Sequence, residues 1–173
     1  MSNLVLTNTF RFLGLLFLQV LILQRVGIGW TSFPYIHILL YPLFIILLPM
    51  RTPKAAVMLL AFLIGISVDL FYSSPGIHAS ASVFTGFIRS FILARLEPRG
   101  GYNVNFSPTK ERMGLNWFLR YAGILMAAHL FFYFSVEAFT FVFFIDILIK
   151  TLVGFVISMM FIILFMFIFN PRD

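Results

Sequence analysis

Residues 54–96 read KAAVMLLAFLIGISVDLFYSSPGIHASASVFTGFIRSFILARL, and this stretch decides the fold. Two apolar runs, Lys54 to Tyr72 and about Ile77 to Leu96, flank Ser73-Ser74-Pro75-Gly76. Each run comes close to the ~20 apolar residues that a bilayer-spanning helix needs. Pro75-Gly76 fits the middle of a type II turn. The pair therefore predicts a tight antiparallel hairpin of two spanning helices.

The rest of the chain follows the same rule. The run Phe12 to Leu23 follows Asn8 and Arg11 and is followed by Gln24 and Arg25 rather than a small-residue cleavage site, so it predicts a retained first helix. A second run, about Pro34 to Leu48, contains Pro42 and stops at Pro49. Its length corresponds to roughly 22 Å of helix. It must borrow from Trp30–Phe33 or form a short, kinked span. Pro98, Gly100-Gly101 and Pro108 interrupt the polar stretch Glu97 to Gly114, which predicts a solvated cytoplasmic connection, with contact of its basic residues to anionic lipid headgroups as the alternative. A fifth span runs from about Leu115 to Phe134. The last stretch, Phe139 to Phe169, exceeds one untilted crossing. Asp146 and Lys150 divide it into an interfacial segment and a sixth helix ending at Asn170-Pro171. The expectation is one all-α polytopic membrane domain over 1–173 with about six transmembrane helices.

Composition agrees. Of 173 residues, 61% are hydrophobic and 10% charged, and the mean hydropathy is +1.03. Soluble domains run about 45–50% apolar and about 25% charged, so the soluble classes are excluded. Cysteine is absent, which removes disulfides, thiolate metal sites and Cys nucleophiles. The net charge of +6 belongs to the loops rather than to nucleic acid. With a cytoplasmic N-terminus, Arg11, Arg51, Lys54, Arg95, Arg99, Lys110, Arg112 and Arg172 fall inside, and Arg25 and Lys150 outside. Both termini are thus expected in the cytoplasm.

Motifs for catalysis are missing: no HExxH, GxSxG or Walker loop, and no carboxylate pair at a useful spacing. No catalytic residue, cofactor or metal is expected. His37, His78 and His129 lie on different spans or turns, without local metal spacing, and read as polar packing residues. Asp69 and Arg89 each interrupt an apolar run, where an ionisable side chain costs several kcal/mol unless paired or facing a cavity. The hairpin makes their helices neighbours, so they read as an intramembrane ion pair fixing register; a substrate or proton site is the alternative. Asp146 and Lys150, at i and i+4, read as a second pair. Ser82, Gly86, Ser90 and Ala94 repeat at i+4, with shorter small-residue stripes at Ala61 and Gly65 and at Gly123 and Ala127. In lipid, close approach over small residues is how helices associate. The longest stripe is read as the partner-binding surface, with intramolecular packing as its alternative.

The run Gly65-Ile66-Ser67-Val68-Asp69-Leu70-Phe71, then Pro75-Gly76-Ile77-His78-Ala79, then an Arg-bearing helix, resembles the rod shape-determining MreD family. The resemblance implies a non-catalytic scaffold of the bacterial cell-elongation machinery in the inner membrane. Its implied partner is a bitopic MreC-like protein, and through it peptidoglycan synthases and the MreB cytoskeleton. The implied fold is similar to the substrate-binding components of ECF-type transporters, so a vitamin-binding transporter subunit is the alternative function. Against it, the first span lacks an Ala-x-x-x-Ala docking pattern and the outward loops are short. A lipid-acting enzyme is the weakest reading, because no nucleophile with a base is visible.

Overall fold

The computed structural model describes residues 2–25, 37–103 and 106–169; Trp30–Phe33, Pro34, Asn170-Pro171 and Arg172 lie outside these. The described residues are mostly helical and contain no strand. Five helices are long and apolar enough to cross a membrane. They are α1 (Ser2–Phe17), which continues as a π-helical segment Leu18–Leu23, α3 (Lys54–Tyr72), α4 (Ile77–Arg95), α6 (Leu115–Ala138) and α7 (Phe144–Ile168). Two short helices, α2 (Leu43–Leu47) and α5 (Lys110–Met113), lie between them.

The hairpin forms as the sequence predicts. Gly76 takes φ 88°, ψ −9° and the Ile77 N–H donates to the Ser74 carbonyl at 3.3 Å. This is the second central position of a type II turn, where L side chains are disfavoured by roughly 1–2 kcal/mol. Antiparallel helices follow directly on either side, and α3 and α4 pack along their length.

The second apolar run departs from expectation. Its described part, from residue 37, is no long helix but an irregular segment and one five-residue helix, α2. Pro42 starts α2 and Pro49 stops it; Leu48, before a proline, takes the extended conformation φ −58°, ψ 143°. This least regular segment is also the most enclosed, with every residue from Ile38 to Pro49 buried. Irregular backbone at membrane depth is tolerated only where protein, not lipid, surrounds it. The long helices form the wall instead, and their outer faces carry Leu59, Leu70, Phe91, Leu152 and Met160.

Contacts at the two ends set the direction of each pass. At one end Arg11 Nη1 donates to Ser107 Oγ at 3.0 Å, the Met50 N–H donates to the Phe106 carbonyl at 3.2 Å, and Lys110 Nζ sits 3.6 Å from the Phe167 ring centroid. At the other, Gln24 Nε2 donates to the Phe71 carbonyl at 3.0 Å and Lys150 meets Glu137 at 3.2 Å. The first end holds Arg11 and Lys110, and the other Lys150. The connection after α4 is less solvated than expected. Ser107 and Thr109 are buried, and α5 folds it back across the basic end. Tyr102 donates to the Leu93 carbonyl at 2.8 Å and Trp117 Nε1 to that of Leu96 at 2.9 Å, closing the C-terminus of α4. Burial pushes the Tyr102 phenol up to about 12, so it remains a donor throughout the neutral range.

The final stretch also differs. Phe141–Phe143 is a short 3-10 turn, and Asp146 and Lys150 both lie within α7. Lys150 pairs with Glu137 of α6 at 3.2 Å rather than with Asp146, although all three side chains line one cavity.

Candidate functional site

Asp69 and Arg89 do not meet. Asp69 lies in the last turn of α3, 2% exposed, and its carboxylate is used up by the start of α4. Oδ1 accepts the His78 N–H and Oδ2 the Ala79 N–H, at 3.0 and 2.9 Å; Oδ2 also accepts from the Gly76 N–H at 3.1 Å. Ser74 Oγ and His78 Nδ1 complete Oδ1, at 3.1 and 3.0 Å. A helix start leaves four N–H groups without partners and carries partial positive charge. A carboxylate from the preceding helix answers both needs. The approach is possible because of Gly65, one turn earlier on the same face: a Cβ there would stand 2.5 Å from the Ala79 Cα and 2.7 Å from the His78 carbonyl oxygen. Gly65-x-x-x-Asp69 is thus one device, the glycine admitting the helix end that the aspartate caps.

Arg89 serves the opposite kind of terminus. Its Nη2 donates to the Leu48 carbonyl and, at 3.5 Å, to that of Pro49; its Nε donates to Tyr121 Oη at 2.9 Å. Tyr121 in turn donates to the Ile46 carbonyl at 3.1 Å. Together they hold the carbonyls left open where α2 stops, and a cation suits that negative helix end. The expected ion pair is therefore replaced by two helix-terminus contacts. Arg89 lies about 18 Å along α4 from its start, too far from Asp69 once both are engaged.

The near end of the central segment is held in the same way. Gln19, buried in the π-helical part of α1, accepts the Leu40 N–H at 2.7 Å and the Tyr41 N–H at 3.3 Å, and donates to the Ile38 carbonyl at 2.9 Å and to Tyr72 Oη at 2.8 Å. Ser158 of α7 accepts the Leu39 N–H at 3.0 Å. Four long helices thus supply side chains for backbone groups that α2 cannot pair.

Between these two clamps lies a buried polar file. His78, Ser82, Thr85 and Arg89 occupy α4 at i, i+4, i+7 and i+11, all at most 3% exposed. Thr85 donates to the Ala81 carbonyl at 2.8 Å, so the 2.8 Å contact to His129 Nδ1 takes its proton from the ring. His129 Nε2 then accepts from Tyr41 Oη at 2.8 Å. His78 is nested among the rings of Tyr72 and Tyr133 at 4.9 Å and Tyr41 at 5.6 Å. Two of the histidines expected to be separate therefore converge on Tyr41; His37 instead lies edge-on to Phe134. Among the described residues no three His, Asp or Glu side chains are placed to hold a metal ion.

The Ser82, Gly86, Ser90, Ala94 stripe is not one surface. Ser82 and Gly86 are buried, and a Cβ on Gly86 would lie 3.3 Å from the Ala61 Cβ, so this half packs α4 on α3. Ser90 and Ala94 face outward. The reason is angular. At 3.6 residues per turn each i+4 step advances about 40°, and three steps carry the stripe about 120° round the helix. The 4-3-4 spacing of His78, Ser82, Thr85 and Arg89 stays on one face. Sequence reasoning singled out the first pattern and missed the second, although the lone polar residues in apolar runs, Gln19 included, were its signal. No family of known proteins, no curated protein and no solved structure matches the chain.

Proposed function

We propose that the protein is a non-catalytic adaptor of MreD type, crossing the bacterial inner membrane six times with both termini in the cytoplasm. Its work is to dock the transmembrane helix of an MreC-like bitopic partner, and so to join peptidoglycan synthases and the MreB cytoskeleton. The observation that carries the reading is the Gly65 and Asp69 unit. The residues on which the resemblance rests make one interlocked contact across Pro75-Gly76. Arg11 and Lys110 at one end support the orientation. Reporter fusions active only outside the membrane are expected to work after Ser74 or Glu137 and to fail after Gly101; activity after Gly101 overturns the orientation.

The docking surface under this reading is the outward half of the stripe, Ser90 and Ala94 beside Phe91. Ala94→Leu should leave the protein folded and remove the partner from pull-downs. Phe87→Leu should be harmless to both folding and partner recovery, and Gly86→Leu should reduce folded protein itself, since Ala61 and Val57 leave no room. Full retention of the partner by folded Ala94→Leu places docking elsewhere. A small-molecule binding subunit of ECF type is the second reading, favoured by the broken central segment and its polar file, since interrupted helices mark binding sites in transporters. Recovery of an ATPase-linked transmembrane subunit in the same pull-down supports it.

A further inference from the structure

Where α6 ends and α7 begins, a cavity of about 380 Å³ lies between the two helices. Its lining includes Glu137 from the last turn of α6, and Asp146 and Lys150 from the first two turns of α7. Lys150 Nζ donates to Glu137 Oε2 at 3.2 Å, so one ammonium offsets one carboxylate. Asp146 is the second carboxylate, and two acids against one base leave the cavity with one negative charge. Phe134 and Phe143 add aromatic rings to the same lining, and Lys150 Nζ stands 5.8 Å from the Phe134 ring centroid. A carboxylate beside aromatic faces is the chemistry that receives a cation.

The surroundings say where that cation comes from. The connection bordering the cavity exposes Phe139 at 93%, Val142 at 84% and Ile145 at 71%. Large apolar side chains crowded on one short connection are unfavourable in water and favourable in lipid. The cavity therefore opens at the level of the headgroups. We propose that it is a binding site for the headgroup of an ethanolamine phospholipid, whose acyl chains run along the apolar rim. The primary ammonium donates to Asp146 and balances its charge, and the phosphate, two carbons away, meets Lys150. Asp146 and Lys150 are one helical turn apart, with Cβ atoms about 5–6 Å from each other, so acid and base face the two ends of one zwitterion. A carboxylate only accepts hydrogen bonds, which selects an ammonium with N–H donors over a choline, which has none. Lys150 Nζ carries three donors, and Glu137 takes one of them. The site holds under either functional reading.

The test is native mass spectrometry of the full-length protein exchanged into detergent micelles containing equal amounts of phosphatidylethanolamine and phosphatidylcholine. Phosphatidylethanolamine should be retained over phosphatidylcholine by about tenfold, the scale of one charge-assisted hydrogen bond. Asp146→Asn, a conservative change at an exposed position, should fold normally by circular dichroism and bring the two lipids to parity. Equal retention by the unmodified protein, or an undiminished preference in Asp146→Asn, overturns the site. Soluble phosphoethanolamine at the same concentration should displace little of the bound lipid. Full displacement makes the free headgroup the ligand and overturns the assignment to a lipid.

Discussion

Gly65→Ala is expected to abolish most of the folded protein, a large effect for one methyl group. The added Cβ would stand 2.5 Å from the Ala79 Cα, 2.7 Å from the His78 oxygen and 2.8 Å from the Ala79 nitrogen. All three are backbone atoms, so no side chain can swing aside. The hairpin must open, and opening it withdraws the Gly76, His78 and Ala79 N–H groups from Asp69. Overpacking alone costs about 1–3 kcal/mol, and bonds to a charged group about 1.5–3 kcal/mol each. A loss of about 3 kcal/mol or more should appear as early unfolding in denaturing detergent, followed by the fluorescence of the two tryptophans, Trp30 and Trp117. Gly14→Ala is the control, because nothing lies within 4 Å of a Cβ there. Equal behaviour of the two variants contradicts the close approach.

Arg89→Met is expected to be nearly as damaging, for a different reason. Methionine fills much of the same volume but leaves the Leu48 and Pro49 carbonyls without their donor and Tyr121 without its charged partner. Each unsatisfied buried group costs about 1–3 kcal/mol, so a total of about 3–5 kcal/mol is expected. Arg89→Lys should recover only part, since one ammonium cannot match the fork that reaches Tyr121 and both carbonyls. Full recovery by lysine would mean that charge alone, not the geometry of the donors, holds the end of α2.

The hairpin, the turn at Pro75-Gly76 and the long helices were legible because each is a local pattern: run length, turn chemistry and charge asymmetry. Gly65 and Asp69 were visible as a motif, but their job was not, because it depends on where α4 begins in space. Arg89 was recognised as costly in an apolar run and then given the nearest opposite charge in the hairpin. Its real partners are backbone carbonyls of a segment about 40 residues earlier. That segment itself misled for a related reason. Pro42 and Pro49 announced a short span, yet periodicity says nothing about which apolar run will be wrapped by the others. The i+4 stripe on α4 was real as a count and wrong as a surface, since it turns from the α3 interface at Gly86 to the outside at Ala94.

Asp69 and Arg89 act on separate helix ends, the start of α4 and the end of α2. A double-mutant cycle with Asp69→Asn and Arg89→Met, measured by unfolding in denaturing detergent, tests this most directly. Independent sites with no shared partner add to within about 0.3–0.5 kcal/mol. The prediction is that the double variant loses the sum of the two single losses, and that exchanging the charges, Asp69→Arg with Arg89→Asp, restores nothing. A coupling of about 1 kcal/mol or more, or recovery of folded protein by the exchange, would show that the two charges are paired and would contradict the account.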